Sequence, residues 1–198
     1  PSMAPMSRMG MSLAASALTS ASVPLRDSVR SVTRASDSLM LASFAANFGL
    51  DRLTKYLAVA RLRGTEGVSL LWGSVVVRFA ENTGAFLSLG SGWPLWLKYS
   101  VLLAGPALLC FYGLYHCAFK ETDGCQVAFL STVIAGGLGN LVDRALNDFA
   151  VVDFINFGIG SLRTGVLNVA DLSITFGAVA FFLRERSLRR KASEEGRV

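Results

Sequence analysis

The chain has one histidine, His116, and three cysteines. A single imidazole leaves little room for Ser-His-Asp or Cys-His catalysis, so acid–base chemistry falls to carboxylates, Lys, Tyr or a bound metal. Cys110, Cys117 and Cys125 show no CxxC spacing. Cys110 and Cys117 lie seven apart, on one helix face, as small apolar packing residues rather than a disulfide or metal pair. Charge is also scarce: only 17% of residues are Asp, Glu, Lys or Arg, while 52% are hydrophobic. The mean hydropathy of +0.47 exceeds that of ordinary soluble domains. In so apolar a chain the net charge of +5 reads as basic flanks of membrane helices, not as a nucleic-acid surface.

Residues 1–37 are set apart by Ser, Met and four arginines, with Asp27 the only acid before Asp37. They read as a disordered basic tail, a start at one of the early methionines, or an organelle transit peptide. A cleavable secretory signal fits poorly, because the apolar run from Leu39 has no clear small-residue cleavage site. Four apolar segments follow, about Ser38–Ala60, Leu95–Phe119, Gln126–Val142 and Thr164–Leu183, each near the roughly 20 residues that span a bilayer. The expected fold is therefore an integral membrane, mainly α protein: four transmembrane helices over 38–185 with a small extracytoplasmic β-sheet or hairpin region. A charged C-terminal tail, 186–198, follows. The β-branched and aromatic stretch Val68–Phe79, the glycine-bearing Gly84–Gly92 and the run Val151–Phe157 are the expected sheet and hairpin material.

Lys and Arg orient the chain. With both termini cytoplasmic, eleven lie inside (Arg8, Arg26, Arg30, Arg34, Lys120, Arg184, Arg186, Arg189, Arg190, Lys191, Arg197) and six outside (Arg61, Arg63, Arg78, Lys98, Arg144, Arg163).

Ionisable groups in membrane helices are costly and are functional candidates. Asp171 is expected seven residues into the fourth helix, with Asn168 on its face; the alternative role for the pair is polar glue between helices. Asn140 and Asp143 repeat the Asn-x-x-Asp spacing at the end of the third helix, beside Arg144; a local ion pair at a helix end would also account for Asp143. Gly136, Gly137 and Gly139 permit close approach of another backbone. Asp153 sits within an apolar strand-like run, and a short loop brings it toward Asp171. Asp51 and Lys55, four apart, pair on the first helix in an anchoring role. Asn82 belongs to the outer loop, where binding residues concentrate.

These pieces in this order resemble the lipoprotein signal peptidase (signal peptidase II) family: Asp51-Arg-Leu-Thr-Lys55, Asn82-Thr-Gly-Ala-Phe-Leu-Ser88, Gly136-Gly-Leu-Gly-Asn140-Leu-Val-Asp143-Arg144, Val151-Val-Asp153-Phe-Ile155 and Asn168-Val-Ala-Asp171. The resemblance implies an aspartic endopeptidase of the bacterial inner membrane that cuts diacylglyceryl-modified prolipoproteins just before the lipidated Cys. It implies Asp153 and Asp171 as catalytic, with Asn82, Asn140, Asp143, Arg144 and Asn168 shaping the site and holding the substrate backbone. No cofactor or metal is expected, and the partners are the prolipoprotein and membrane lipids, with a monomer as default. Arg52 stands where the family often has Gln, Leu167 where Phe is common, and the stretch from Arg144 to Asp153 is one residue longer. Asp143 is therefore the alternative partner for Asp171. Two rival functions are a small ion or proton transporter using Asp143 and Asp171, and a structural membrane protein.

Overall fold

A computed structural model describes residues 36–85, 89–121 and 123–196. The expected N-terminal tail lies almost wholly outside these residues. Four long helices and one four-stranded sheet make up the described chain. Helix α1 covers 36–62. Strands β1 (Val68–Leu70) and β2 (Val75–Asn82) follow. Helix α2 is Leu95–Phe119, α3 is Gly124–Leu146, β3 is Val151–Ile159, β4 is Leu162–Leu167, and α4 is Val169–Glu195. The sheet is antiparallel in the order β1-β2-β3-β4.

Helices α2 and α3 are long and apolar enough to cross a bilayer by length and composition. The outer faces of the helices are apolar: Leu109 and Phe111 on α2 are each 72% exposed, and Phe176 on α4 is 69% exposed. Continuous apolar surface of this kind marks contact with lipid or another protein. Inside α2, Tyr99–Ala104 forms a π turn. Pro106 follows it, has no N–H, and would press on the Leu102 carbonyl; the wider turn relieves the mismatch.

Two expectations are corrected. The fourth apolar segment was expected to be helical from Thr164, but Thr164–Leu167 belongs to β4, paired with β3 through Ile155–Leu167 and Asn156–Val166. Helix α4 starts only at Val169, because Asn168 caps it. It then runs unbroken through the charged stretch 186–195. The sheet or hairpin expected across Gly84–Gly92 is replaced, in the residues described there, by bends and turns. The runs Val68–Phe79 and Val151–Phe157 do form strands.

The sheet is fixed to the bundle by a small core in which Ala58 of α1 packs with Val152 and Phe154, flanked by Leu62, Val77, Phe79 and Val169. A sharp reversal between α3 and β3 delivers β3 to that position. Asp148 and Phe149 take left-handed φ of 49° and 67°, a conformation costing about 1–2 kcal/mol per residue. It is held by Phe149 N donating to Arg144 O at 3.1 Å and by Ala150 N donating to Asn147 O at 2.8 Å. The Phe149 ring is buried and meets Tyr99 edge-on, 4.9 Å between centroids.

Helices α3 and α4 are in intimate contact. A Cβ on Gly136 would lie 2.5 Å from the Ala170 carbonyl oxygen, and one on Gly139 would strike the Asp51 carboxylate. Close backbone approach at small residues is how apolar helices pack without a hydrophobic driving force. Midway along the bundle, Asn47 donates to Thr132 Oγ1 at 3.3 Å and accepts from Ser173 at 3.0 Å, tying α1, α3 and α4.

Gly136→Val is expected to lower the thermal unfolding midpoint in detergent, at a cost of about 1–3 kcal/mol. Gly49→Ala, in the interior of α1 with nothing within 4 Å of the added Cβ, should leave it unchanged or raise it slightly, by up to about 1 kcal/mol. Equal midpoints for the two variants would contradict the packing described.

Candidate active site

The site forms where the C-terminal end of α3 and the N-terminal end of α4 meet β2, β3 and β4. Asn168 precedes α4 with extended backbone and makes a reciprocal cap. Its Oδ1 accepts from Asp171 N at 2.9 Å, and Asp171 Oδ2 accepts from Asn168 N at 3.2 Å. Asn-x-x-Asp is thus a capping box, and Asp171 occupies the third helical position. Its expected place seven residues into the helix is corrected by β4, which takes up Thr164–Leu167. Asp171 consequently stands at the positive end of the α4 dipole.

The other Asp171 oxygen, Oδ1, accepts from Asn140 Nδ2 at 2.9 Å. Asn140 is on α3, so this bond joins the two Asn-x-x-Asp motifs. Asp153 comes from β3, opposite Ala80 of β2, and is 3% exposed. Its Oδ1 accepts from Asn168 Nδ2 at 2.7 Å and its Oδ2 from Asn82 Nδ2 at 3.2 Å. One asparagine, Asn168, therefore bonds both aspartates. Burial, reinforced by the nearby Asp171 charge, pushes the Asp153 carboxyl up to about 7.

Asn82, Asn140, Arg144, Asp153 and Asp171 line one cavity of about 80 Å³, closed on the sheet side by Val151 and Gly165–Leu167. That volume has room for a few ordered waters. Arg144 Nη2 donates to Gly84 O at 2.7 Å, and Asn82 holds the same loop through Ala85 O at 3.2 Å and Gly84 N at 3.1 Å. Buried Arg144 Nε has no protein partner, so a donor remains available at the cavity.

Of the residues singled out in the sequence, six converge here. Asp143 lies behind the cavity: Oδ1 accepts from Arg52, and Oδ2 accepts from Lys55 Nζ at 2.8 Å and Val152 N at 3.3 Å. The expected Asp51–Lys55 pair is present at 3.1 Å. Sequence reasoning missed Arg52 as a partner of Asp143 and Lys55 as a donor to Asn140. Both bonds join α1 to α3 across more than 80 residues, and no local pattern announces such a pairing. Cys110 and Cys117 are buried free thiols, as packing residues should be.

The family model described as signal peptidase (SPase) II matches residues 43–186. A lipoprotein signal peptidase from Borrelia turicatae is 33% identical over 138 residues, covering 67% of this chain and 81% of its own length. Those from Hydrogenovibrio crunogenus and Gloeothece citriformis are each 34% identical, over 69% and 74% of this chain and 78% and 87% of their own. The fold is similar to that of a solved bacterial membrane enzyme, with a TM-score of 0.65 and 22% identity over 78% of this chain and 90% of that one. The chain belongs to the signal peptidase II family of proteases.

Proposed function

We propose that this chain is an aspartic endopeptidase that removes signal peptides from diacylglyceryl-modified prolipoproteins, with Asp153 and Asp171 as its catalytic pair. The observation that carries the reading is the sharing of Asn168 by two carboxylates that line one small cavity. Like charges placed so closely hold one proton between them and titrate as a pair. Burial raises the Asp153 carboxyl to about 7, which keeps one proton on the pair up toward neutral pH.

The chemistry follows from that state. Asp171 takes a proton from a water as the water oxygen bonds to the scissile carbonyl carbon. Asp153 hydrogen-bonds the carbonyl oxygen and passes its proton to it as that oxygen gains negative charge. In the resulting tetrahedral diol the leaving nitrogen receives a proton from the pair and the C–N bond breaks. As the bond breaks the diol gives a proton back to the pair, and the products are a carboxylate on the signal peptide and an ammonium on the lipidated Cys, with the pair returned to one proton. Arg144 Nε and the Asn82 amide hold the substrate backbone, while Asn140 and Asn168 fix the carboxylates.

In this reading all four helices cross the bacterial inner membrane with both termini cytoplasmic. The site then lies at the outer-leaflet ends of α3 and α4, where the diacylglyceryl chains keep the bond to be cut. The signal peptide's apolar helix enters sideways from lipid. The chain acts as a monomer without a cofactor.

The test is cleavage of a diacylglyceryl-modified prolipoprotein by purified protein. Asp153→Asn and Asp171→Asn should stay folded by thermal unfolding and lose at least about a hundredfold in rate. Asp143→Asn, altered behind the cavity, should be slower but still cut. An active Asp153→Asn alongside a dead Asp143→Asn would reassign the pair. Proton flux into liposomes that depends on Asp171, with no cleavage at all, would favour the transporter instead.

The Asp153 environment also sets the pH behaviour. Its folded carboxyl is raised from 3.8 to about 7, so the folded state binds more protons than the unfolded state between those values. Stability should fall as pH rises from about 4 to about 7, and Asp153→Asn should flatten that slope. Activity should decline as pH passes about 7 and the shared proton is lost. A wild-type midpoint that climbs across this range would contradict the assignment.

A further inference from the structure

The charges on α1 take no part in the chemistry above, yet they are connected to it. Asp51, Lys55 and Asp143 are almost fully buried, and Arg52, about a third exposed, closes the group. Lys55 Nζ holds Asp51 Oδ2 at 3.1 Å and Asp143 Oδ2 at 2.8 Å, and donates to Asn140 Oδ1 at 2.8 Å. Asn140 Oδ1 also accepts from Asn168 Nδ2 at 3.1 Å. Two donors on that oxygen dictate which way the amide faces, and so present Asn140 Nδ2 to Asp171. Asp143 Oδ2 meanwhile accepts from Val152 N, the residue before Asp153. Asp51 Oδ1 accepts from Ala170 N at 2.9 Å, the residue before Asp171. The cluster therefore reaches both arms of the catalytic pair.

Two acids and two bases balance in charge. Arg52 contributes the second positive charge, with Nη1 on Asp143 Oδ1 and on Gly139 O at 3.2 Å. Without it, two buried carboxylates would compete for one ammonium. The uncompensated negative charge would be costly and would pull Lys55 away from Asn140. We infer that Arg52 is a positioning residue: it neutralises the buried cluster and frees Lys55 and Asp143 to hold Asn140 and Val152, and thereby Asp171 and Asp153, in register.

This inference rests on the Asp153–Asp171 reading. The other charged groups around the pair are accounted for among the described residues. From α3, Arg144 is held to Gly84 O. On β2, Glu81 is turned to Arg63. On β4, Arg163 is bound to Asn156 and Gly73 O. The Arg144 charge also bears on Asp171, Asp153 and Asp143, and it is common to every variant compared below.

The experiment measures kcat and KM on a diacylglyceryl-modified prolipoprotein from pH 5 to 9, for full-length wild type, Arg52→Gln, Arg52→Lys, Asp143→Asn and the Arg52→Gln/Asp143→Asn double variant. Folding of each is checked by thermal unfolding. Arg52→Gln, which installs the residue the family often carries there, should lower kcat by only about twofold to threefold, with KM little changed, and its effect is read in the pH profile. Its decline above neutrality should move to higher pH, because the extra negative charge holds the shared proton more tightly. Arg52→Lys, which keeps the charge, and the double variant, which restores the balance, should both return the decline to its wild-type position. Asp143→Asn leaves the cluster one positive charge in excess and should move the decline to lower pH. That arm decides the matter if Arg52→Gln does not fold. A folded Arg52→Gln or Asp143→Asn with the wild-type pH profile overturns the inference, as does an Arg52→Lys profile that matches Arg52→Gln. If wild type itself does not cut, the catalytic reading fails first and this inference falls with it.

Discussion

Everything at the site depends on one buried amide. Asn168 is fully enclosed, and its oxygen caps α4 while its nitrogen donates to Asp153, to Asn140 and to Val152 O. A buried amide of this kind has one stable arrangement, because each misplaced polar atom costs roughly 1–3 kcal/mol. The same bonds that start the helix therefore fix the spatial relation of two carboxylates from different elements. The cap decides where α4 begins, hence where Asp171 stands, and the strand ahead of it decides where Asp153 stands.

The surroundings follow from holding two acids next to one another in an apolar protein. The carboxylates lie at the helix ends and the sheet, with hydrogen bonds arriving from asparagines. Neutral donors support either protonation state of the pair, as the proposed acid–base role requires. Full charges are kept one layer behind, where Arg52, Lys55, Asp51 and Asp143 offset one another. The left-handed backbone at Asp148 and Phe149 is the conformational cost of turning the chain from α3 onto β3 in so few residues.

Much of this was legible in the sequence. Asp153 and Asp171 stood out because apolar runs rarely carry acids, and the repeated Asn-x-x-Asp spacing marked Asn140 and Asn168. The start of α4 was not legible: Thr164-Gly-Val-Leu167 continues the apolar run, and only pairing with β3 makes it a strand. The Asn168-x-x-Asp171 spacing is itself a capping signature, but the apolar residues ahead of it also suit a helix and mask it. The bonds of Arg52 to Asp143 and of Asn47 to Ser173 unite helices far apart in sequence. Hydropathy reports which residues face lipid, not which polar pairs meet inside.

The central claim is that the pair acts on a water, with no covalent bond between enzyme and substrate. Single-turnover cleavage in H2 18-O with enzyme in excess tests it directly, by mass spectrometry of the released signal peptide and of the enzyme peptides bearing Asp153 and Asp171. The account predicts one heavy oxygen in the new carboxylate of the signal peptide and none in either aspartate. Heavy oxygen in an aspartate, with its unlabelled atom transferred to the signal peptide, would show a covalent acyl intermediate and contradict it.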